Sequence, residues 1–137
     1  MDQLTVRLVR QSWAKVTPIS EHVGKLFYQN LFAADPSLKS LFKGNTDEQA
    51  AKLVQMIGAA VGKLNDLATL VPILEHLGKR HGTYGVAHAD YQTVGTALLQ
   101  TLGQSLGDAF TPAVSAAWTK VYAVIATTMM SASENGE

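Results

Sequence analysis

The segment LVPILEHLGKRH, residues 70–81, decides how this chain is read. Leu70, Ile73, Leu74 and Leu77 share one side of a helix, because successive helical residues turn by about 100°. His81 is the next step of the same row. Lys79 and Arg80 stand beside it, and Gly82 and Gly85 follow. A row that faces inward, ends on an imidazole and then meets glycine marks a helix that carries a histidine to the interior.

The same three-and-four spacing runs outward from this segment in both directions. Upstream, Leu4, Leu8, Val9 and Trp13 make one stripe, and Val23, Leu26, Phe27 and Leu31 make a second. Gln49, Leu53, Met56, Ile57, Ala60 and Leu64 line a third. Downstream, Tyr91, Val94, Leu98, Leu102 and Leu106 form one stripe, and Val114, Trp118, Val121, Tyr122, Ile125 and Met129 close the chain. Breakers fall between them: Thr17-Pro18, Asp35-Pro36, Gly44-Asn45-Thr46, and Thr111-Pro112, which caps the last helix and puts proline in its first turn. No stretch alternates as a strand would. The expectation is an all-α fold of six or seven helices in a single domain over residues 1–137.

Composition removes several function classes. The 137 residues contain no cysteine, so thiolate catalysis, Cys-type zinc and iron–sulfur clusters are out of reach. Eleven basic and eleven acidic residues balance, without the basic excess of a nucleic-acid binder. The N-terminus lacks the pattern of a secretory leader, and the apolar run within Val121–Ala132 is too short for a bilayer. These features predict a cytoplasmic protein with no membrane or nucleic-acid partner. Gly24, Gly58, Gly62, Gly95 and Gly103 lie inside helical stripes, where each costs roughly 1 kcal/mol against alanine unless helices approach closely there.

Of the four histidines, His22, His76, His81 and His88, no two stand four apart, so no helix offers a two-histidine zinc face. An imidazole on an apolar floor beside two cations suits a flat hydrophobic ligand with carboxylates at its edge. Haem is such a ligand. Spacing alone favours a buried histidine bonded to a backbone carbonyl.

Other segments bear on that choice. Leu26-Phe27-Tyr28-Gln29-Asn30-Leu31-Phe32-Ala33-Ala34-Asp35-Pro36 with Leu41-Phe42, Gln49-Ala50-Ala51-Lys52-Leu53, Leu77-Gly78-Lys79-Arg80-His81 with Tyr84-Gly85-Val86 and Asp90-Tyr91, and Ala117-Trp118-Thr119-Lys120-Val121-Tyr122 occur in this order. Together, from about Trp13 to Met129, they resemble the bacterial single-domain globins related to the globin part of flavohaemoglobins. The resemblance implies haem b with His81 as iron ligand. It implies haem contacts from Phe42, Leu53, Leu77, Val86, Tyr91 and Val94, with Arg80 near a propionate. It places Tyr28 and Gln49 as hydrogen-bonding residues around a bound diatomic, with Leu53 limiting the space, and Gly24 and Ala50 where two helices cross. Two departures stand out. Ser133, with Glu134 one place on, occupies the position of a glutamate that contacts the proximal histidine and tyrosine in that group. The corner between Phe42 and Gln49 is also about three residues shorter. The implied function is reversible oxygen binding for storage, delivery or scavenging. The alternative is nitric oxide dioxygenase or nitrite reductase chemistry served by a separate reductase. A sensor role stands further back.

Overall fold

The computed structural model describes residues 2–42, 45–83 and 85–135, with backbone alone for Thr46, Glu134 and Asn135. Gly44, Tyr84 and the side chain of Glu134, which enter the sequence reading, lie outside the described residues. Six α-helices carry the chain: α1 Gln3–Val16, α2 Ser20–Ala34, α3 Thr46–Gly62, α4 Leu67–Thr83, α5 His88–Leu106 and α6 Pro112–Asn135. Short 3-10 turns at Thr17–Ile19, Pro36–Leu41 and Gly107–Ala109 link them, and no strand occurs among the described residues. The all-α expectation holds. No helix among the described residues is long and apolar enough to cross a membrane.

Local chemistry explains the helix starts. The Asp2 carboxylate accepts the Thr5 N–H at 2.7 Å and opens α1. That bond, before the nearby Lys120, holds its pKa down at about 2. Asn45 Oδ1 accepts from the Asp47 and Glu48 N–H groups at 2.8 and 3.3 Å and opens α3. Asp90 Oδ2 accepts the Ala87 N–H at 2.8 Å at the start of α5. Thr111 Oγ1 accepts the Val114 N–H at 3.2 Å, with Pro112 in the first turn of α6 as expected. Pro72 lies inside α4 on its exposed side; its ring removes one backbone donor without ending the helix.

Helix α4 packs along α6, α2 packs on α3 and α5, and α1 packs on α6. Trp118, Leu31, Leu70, Leu102, Val9, Val16 and Val121 seal the centre. Two polar links cross it, one buried and one part-buried. Trp118 Nε1–H donates to Ser12 Oγ at 2.7 Å, and Asn30 Nδ2–H donates to Thr101 Oγ1 at 2.9 Å. Some stripe assignments shift. Leu4 is 62% exposed and Ile73 is 43% exposed. Ile73 lies about 100° round the helix from Leu74, which takes the inward place. Leu64 is buried, but beyond the end of α3.

Two glycines earn their place by close approach. A Cβ on Gly24 would stand 3.0 Å from the Ala50 Cβ, so α2 and α3 cross where the sequence expects two small residues. A Cβ on Gly78 would stand 2.7 Å from the Met129 Cα, and nearer still to its carbonyl oxygen. Backbone cannot swing aside as a side chain can. Gly78→Ala should therefore destabilise the fold by about 2 kcal/mol or more, despite alanine's better helix propensity. Gly24→Ala should cost less, because a side-chain methyl is the nearest obstacle. Urea unfolding of both variants checks the order.

Candidate functional site

Helices α3 and α4 both line one cavity, yet they are not among the closely packed helix pairs. The cavity, about 360 Å3, lies between them and reaches inward to α5 and α6. That volume lies at the lower end of the range for cofactor pockets. Tyr28 and Phe42 enter from α2 and the corner after it, and Leu53 from α3. Leu77 and His81 enter from α4, Val86 from the following turn, and Tyr91 and Val94 from α5. The walls are apolar apart from a few side chains.

His81 is half-buried near the end of α4. Its Nδ1 lies 2.7 Å from the Leu77 carbonyl oxygen, one turn back. A carbonyl only accepts, so in the neutral ring Nδ1 carries the proton and Nε2 keeps its lone pair. The sequence left two alternatives for this residue, a ligand or a histidine bonded to backbone. The structure shows the backbone bond, and it also sets the ring in the lining of the cavity.

Tyr28 is buried among aromatic rings. Centroids of Phe27, Phe32 and Phe42 stand 5.3, 5.6 and 5.1 Å from its own. Its hydroxyl donates to the Gln49 carbonyl oxygen at 3.5 Å, the long limit of a hydrogen bond. Burial pushes its pKa up to about 12, so the group is a neutral O–H donor at ordinary pH. Tyr91 is also buried, with its ring centroid 6.4 Å from His81. Its hydroxyl has no hydrogen-bond partner among the described residues. Its carbonyl oxygen accepts from the Tyr122 hydroxyl at 2.5 Å. Burial raises the pKa of both.

These tyrosines predict an alkaline limit. For Tyr28 the folded pKa of about 12 lies above the ordinary value of 10.0. A raised pKa means that the neutral form is favoured by folding. Its contribution is fully present below pH 10.0 and is lost as pH rises from there towards 12. Tyr91 and Tyr122 shift in the same direction. An alkaline titration followed by tyrosinate absorbance and circular dichroism should show ionisation of these residues coinciding with unfolding.

Two expected site residues stand apart. Gln49 is half-buried in the first turn of α3, and Arg80 is exposed one residue before His81; neither lines the cavity. Ser133 Oγ donates to the Met130 carbonyl at 2.9 Å, and its Cβ would stand 3.1 Å from one placed on Gly82. That corner therefore holds a short hydroxyl already committed to backbone. The sequence reading missed Trp118, Val121, Tyr122 and Leu98 as cavity residues. Their stripe positions were visible, but periodicity cannot separate a wall from a filled core.

A family profile described as Globin matches residues 25–129, most of the chain. The chain belongs to the globin family. It is similar to neuroglobin of Danio rerio and of Tetraodon nigroviridis, each 32% identical over 145 residues and covering 95% of this chain and 91% of that protein. Neuroglobin-2 of Oncorhynchus mykiss is 32% identical over 155 residues, covering 100% of this chain and 98% of its own length. These relatives do not extend the likeness to bacterial or flavohaemoglobin-type globins.

Globins imply haem, and this globin's residues fit it. No group of three His, Cys, Asp or Glu side chains that could hold a metal ion occurs among the described residues. The apolar walls suit the ring, and the half-buried His81 could supply one ligand with its proton held on the far nitrogen. Lys79 and Arg80 are exposed where the helix ends, suited to carboxylates at the rim.

Proposed function

We propose that this globin is a single domain over residues 1–137 that binds haem b through His81 Nε2 and binds oxygen reversibly. The observation that carries this reading is the His81 ring, fixed by the Leu77 carbonyl at 2.7 Å inside an apolar cavity. Haem supplies an iron that takes a nitrogen ligand on one face and a small diatomic on the other. The protein's part is to hold and exclude. Leu77, Val86 and Val94 keep water from the proximal side, and Phe42 and Leu53 do so on the Tyr28 side. Tyr28 offers an O–H whose present acceptor is distant, so it can turn to a polar ligand at little cost. Gln49 is the second distal group in this proposal; it stands in the first turn of α3 outside the cavity lining, so its side chain must move to meet a ligand. Arg80 is proposed to meet a propionate.

A second reading, in which the same pocket converts nitric oxide and oxygen to nitrate, is favoured by the buried Tyr28 donor, because retention of oxygen serves both. It requires a separate reductase. The tyrosine–glutamine pair is also what supports kinship with the flavohaemoglobin group. The cysteine-free sequence accords with a cytoplasmic setting.

Titration with haem should saturate at one per chain. The distal residues Tyr28, Leu53 and Gln49 include no histidine, so the reduced, ligand-free protein should be five-coordinate. Strong low-spin bands in that state would overturn the assignment. Sustained nitrate production with a reductase would move the balance to the second reading.

A further inference from the structure

A second cleft, about 550 Å3, opens beside the main cavity. Lys25, Gln29 and Phe32 come to it from α2, Lys39 from the turn after α2, and Asp47 from the start of α3. Tyr28 and Phe42 line both the cleft and the cavity. The partition between the two spaces is therefore aromatic. Phe32 stands 5.6 Å from both Tyr28 and Phe42, which meet each other edge-on at 5.1 Å. A wall of rings opens by rotation about side-chain bonds, and the one backbone contact among the described residues that this disturbs is the long 3.5 Å bond from the Tyr28 hydroxyl to the Gln49 carbonyl.

The cleft's charge gives it a preference. Two lysines and one carboxylate, that of Asp47, line it. Lys39 Nζ stands 5.8 Å above the Phe32 ring and pairs with no carboxylate among the described residues. Lys25 pairs with Glu21 at 3.3 Å on the exposed side of α2, a contact that solvent weakens. Asp35 is occupied by the Ser37 N–H and hydroxyl, and Glu48 points to solvent. The main cavity, by contrast, has no lysine or arginine in its lining.

We propose that this cleft is a side entrance for small monovalent inorganic anions, which the Lys25–Lys39 pair draws in and the Tyr28–Phe42 ring pair admits to the main cavity. The admission step rests on the haem reading above; the attraction of the anion does not. Two measurements separate them. Nitrite is titrated into the purified protein while lysine side-chain resonances are followed by NMR. Lys25 and Lys39 should shift together and saturate, and other surface lysines should not. Uniform, unsaturated shifts across the surface would overturn the site whether or not haem binds. In the haem-loaded ferric protein, Lys25→Gln with Lys39→Gln should slow nitrite association about three- to tenfold at low ionic strength and much less at high salt. Association of carbon monoxide with the ferrous protein, being neutral, should hardly change. Gln29→Trp, which narrows the cleft at a residue that does not line the main cavity, should slow nitrite in the same way with both lysines present. Equal slowing of nitrite and carbon monoxide by the lysine changes, or no effect of either variant on nitrite, would overturn the entrance.

Discussion

His81→Ala should leave a folded helical protein that no longer retains haem. The residue is half-buried in the last turns of α4, and its one internal hydrogen bond among the described residues is to a backbone carbonyl, so folding depends on it little. Haem retention depends on it heavily. Removing even an outer partner of a metal ligand costs about 10- to 100-fold in affinity, and removing the ligand should cost more. His76 cannot substitute: it lies five residues earlier, about 140° round the helix, and is exposed. His88 begins α5, is exposed and does not line the cavity. Haem content by absorbance, with circular dichroism as the folding control, decides the matter. Unchanged haem content and an unchanged ferrous spectrum would remove His81 from the site.

Tyr28→Phe should speed oxygen release about ten- to a hundredfold, the consequence of losing a buried hydrogen bond worth about 1.4 to 2.8 kcal/mol. The ring remains, so the contacts with Phe27, Phe32 and Phe42 remain. The bond lost in the protein itself is the 3.5 Å contact to the Gln49 carbonyl, too long to matter much for stability. Carbon monoxide release should change far less, since little negative charge develops on that ligand. Gln49→Leu should act in the same direction but more weakly, because Gln49 is not part of the cavity wall. The two changes need not add, since both donors would address one acceptor. Oxygen release within twofold of the parent after Tyr28→Phe would make the tyrosine a core aromatic only, and the nitric oxide reading would weaken with it.

The helices themselves were legible from residue order. Three-and-four spacing, the Thr111-Pro112 start and the Asp35-Pro36 stop are local signals, and each appears where expected; the crossing of Gly24 with Ala50 was expected only from the resemblance to globins. The row Leu70–Leu74–Leu77–His81 likewise needed only the pitch of a helix to aim the imidazole inward. Gly78 was different. Nothing in its neighbourhood shows that the Met129 backbone will lie against it, because that contact joins segments fifty-one residues apart.

Residue order alone determined an all-α chain with a histidine at the end of an inward-facing row, because helix pitch is a property of short segments; a ligand role for Tyr28 came only with the resemblance to globins. Only the tertiary structure decided that α3 and α4 stand apart to leave a cavity, that Trp118 and Tyr122 are part of its wall, that Gln49 and Arg80 are not, and that a lysine-flanked cleft adjoins it behind three aromatic rings. The reason is physical. An apolar face is the same whether it meets another helix or encloses a space, and only the packing of the other helices settles which it does.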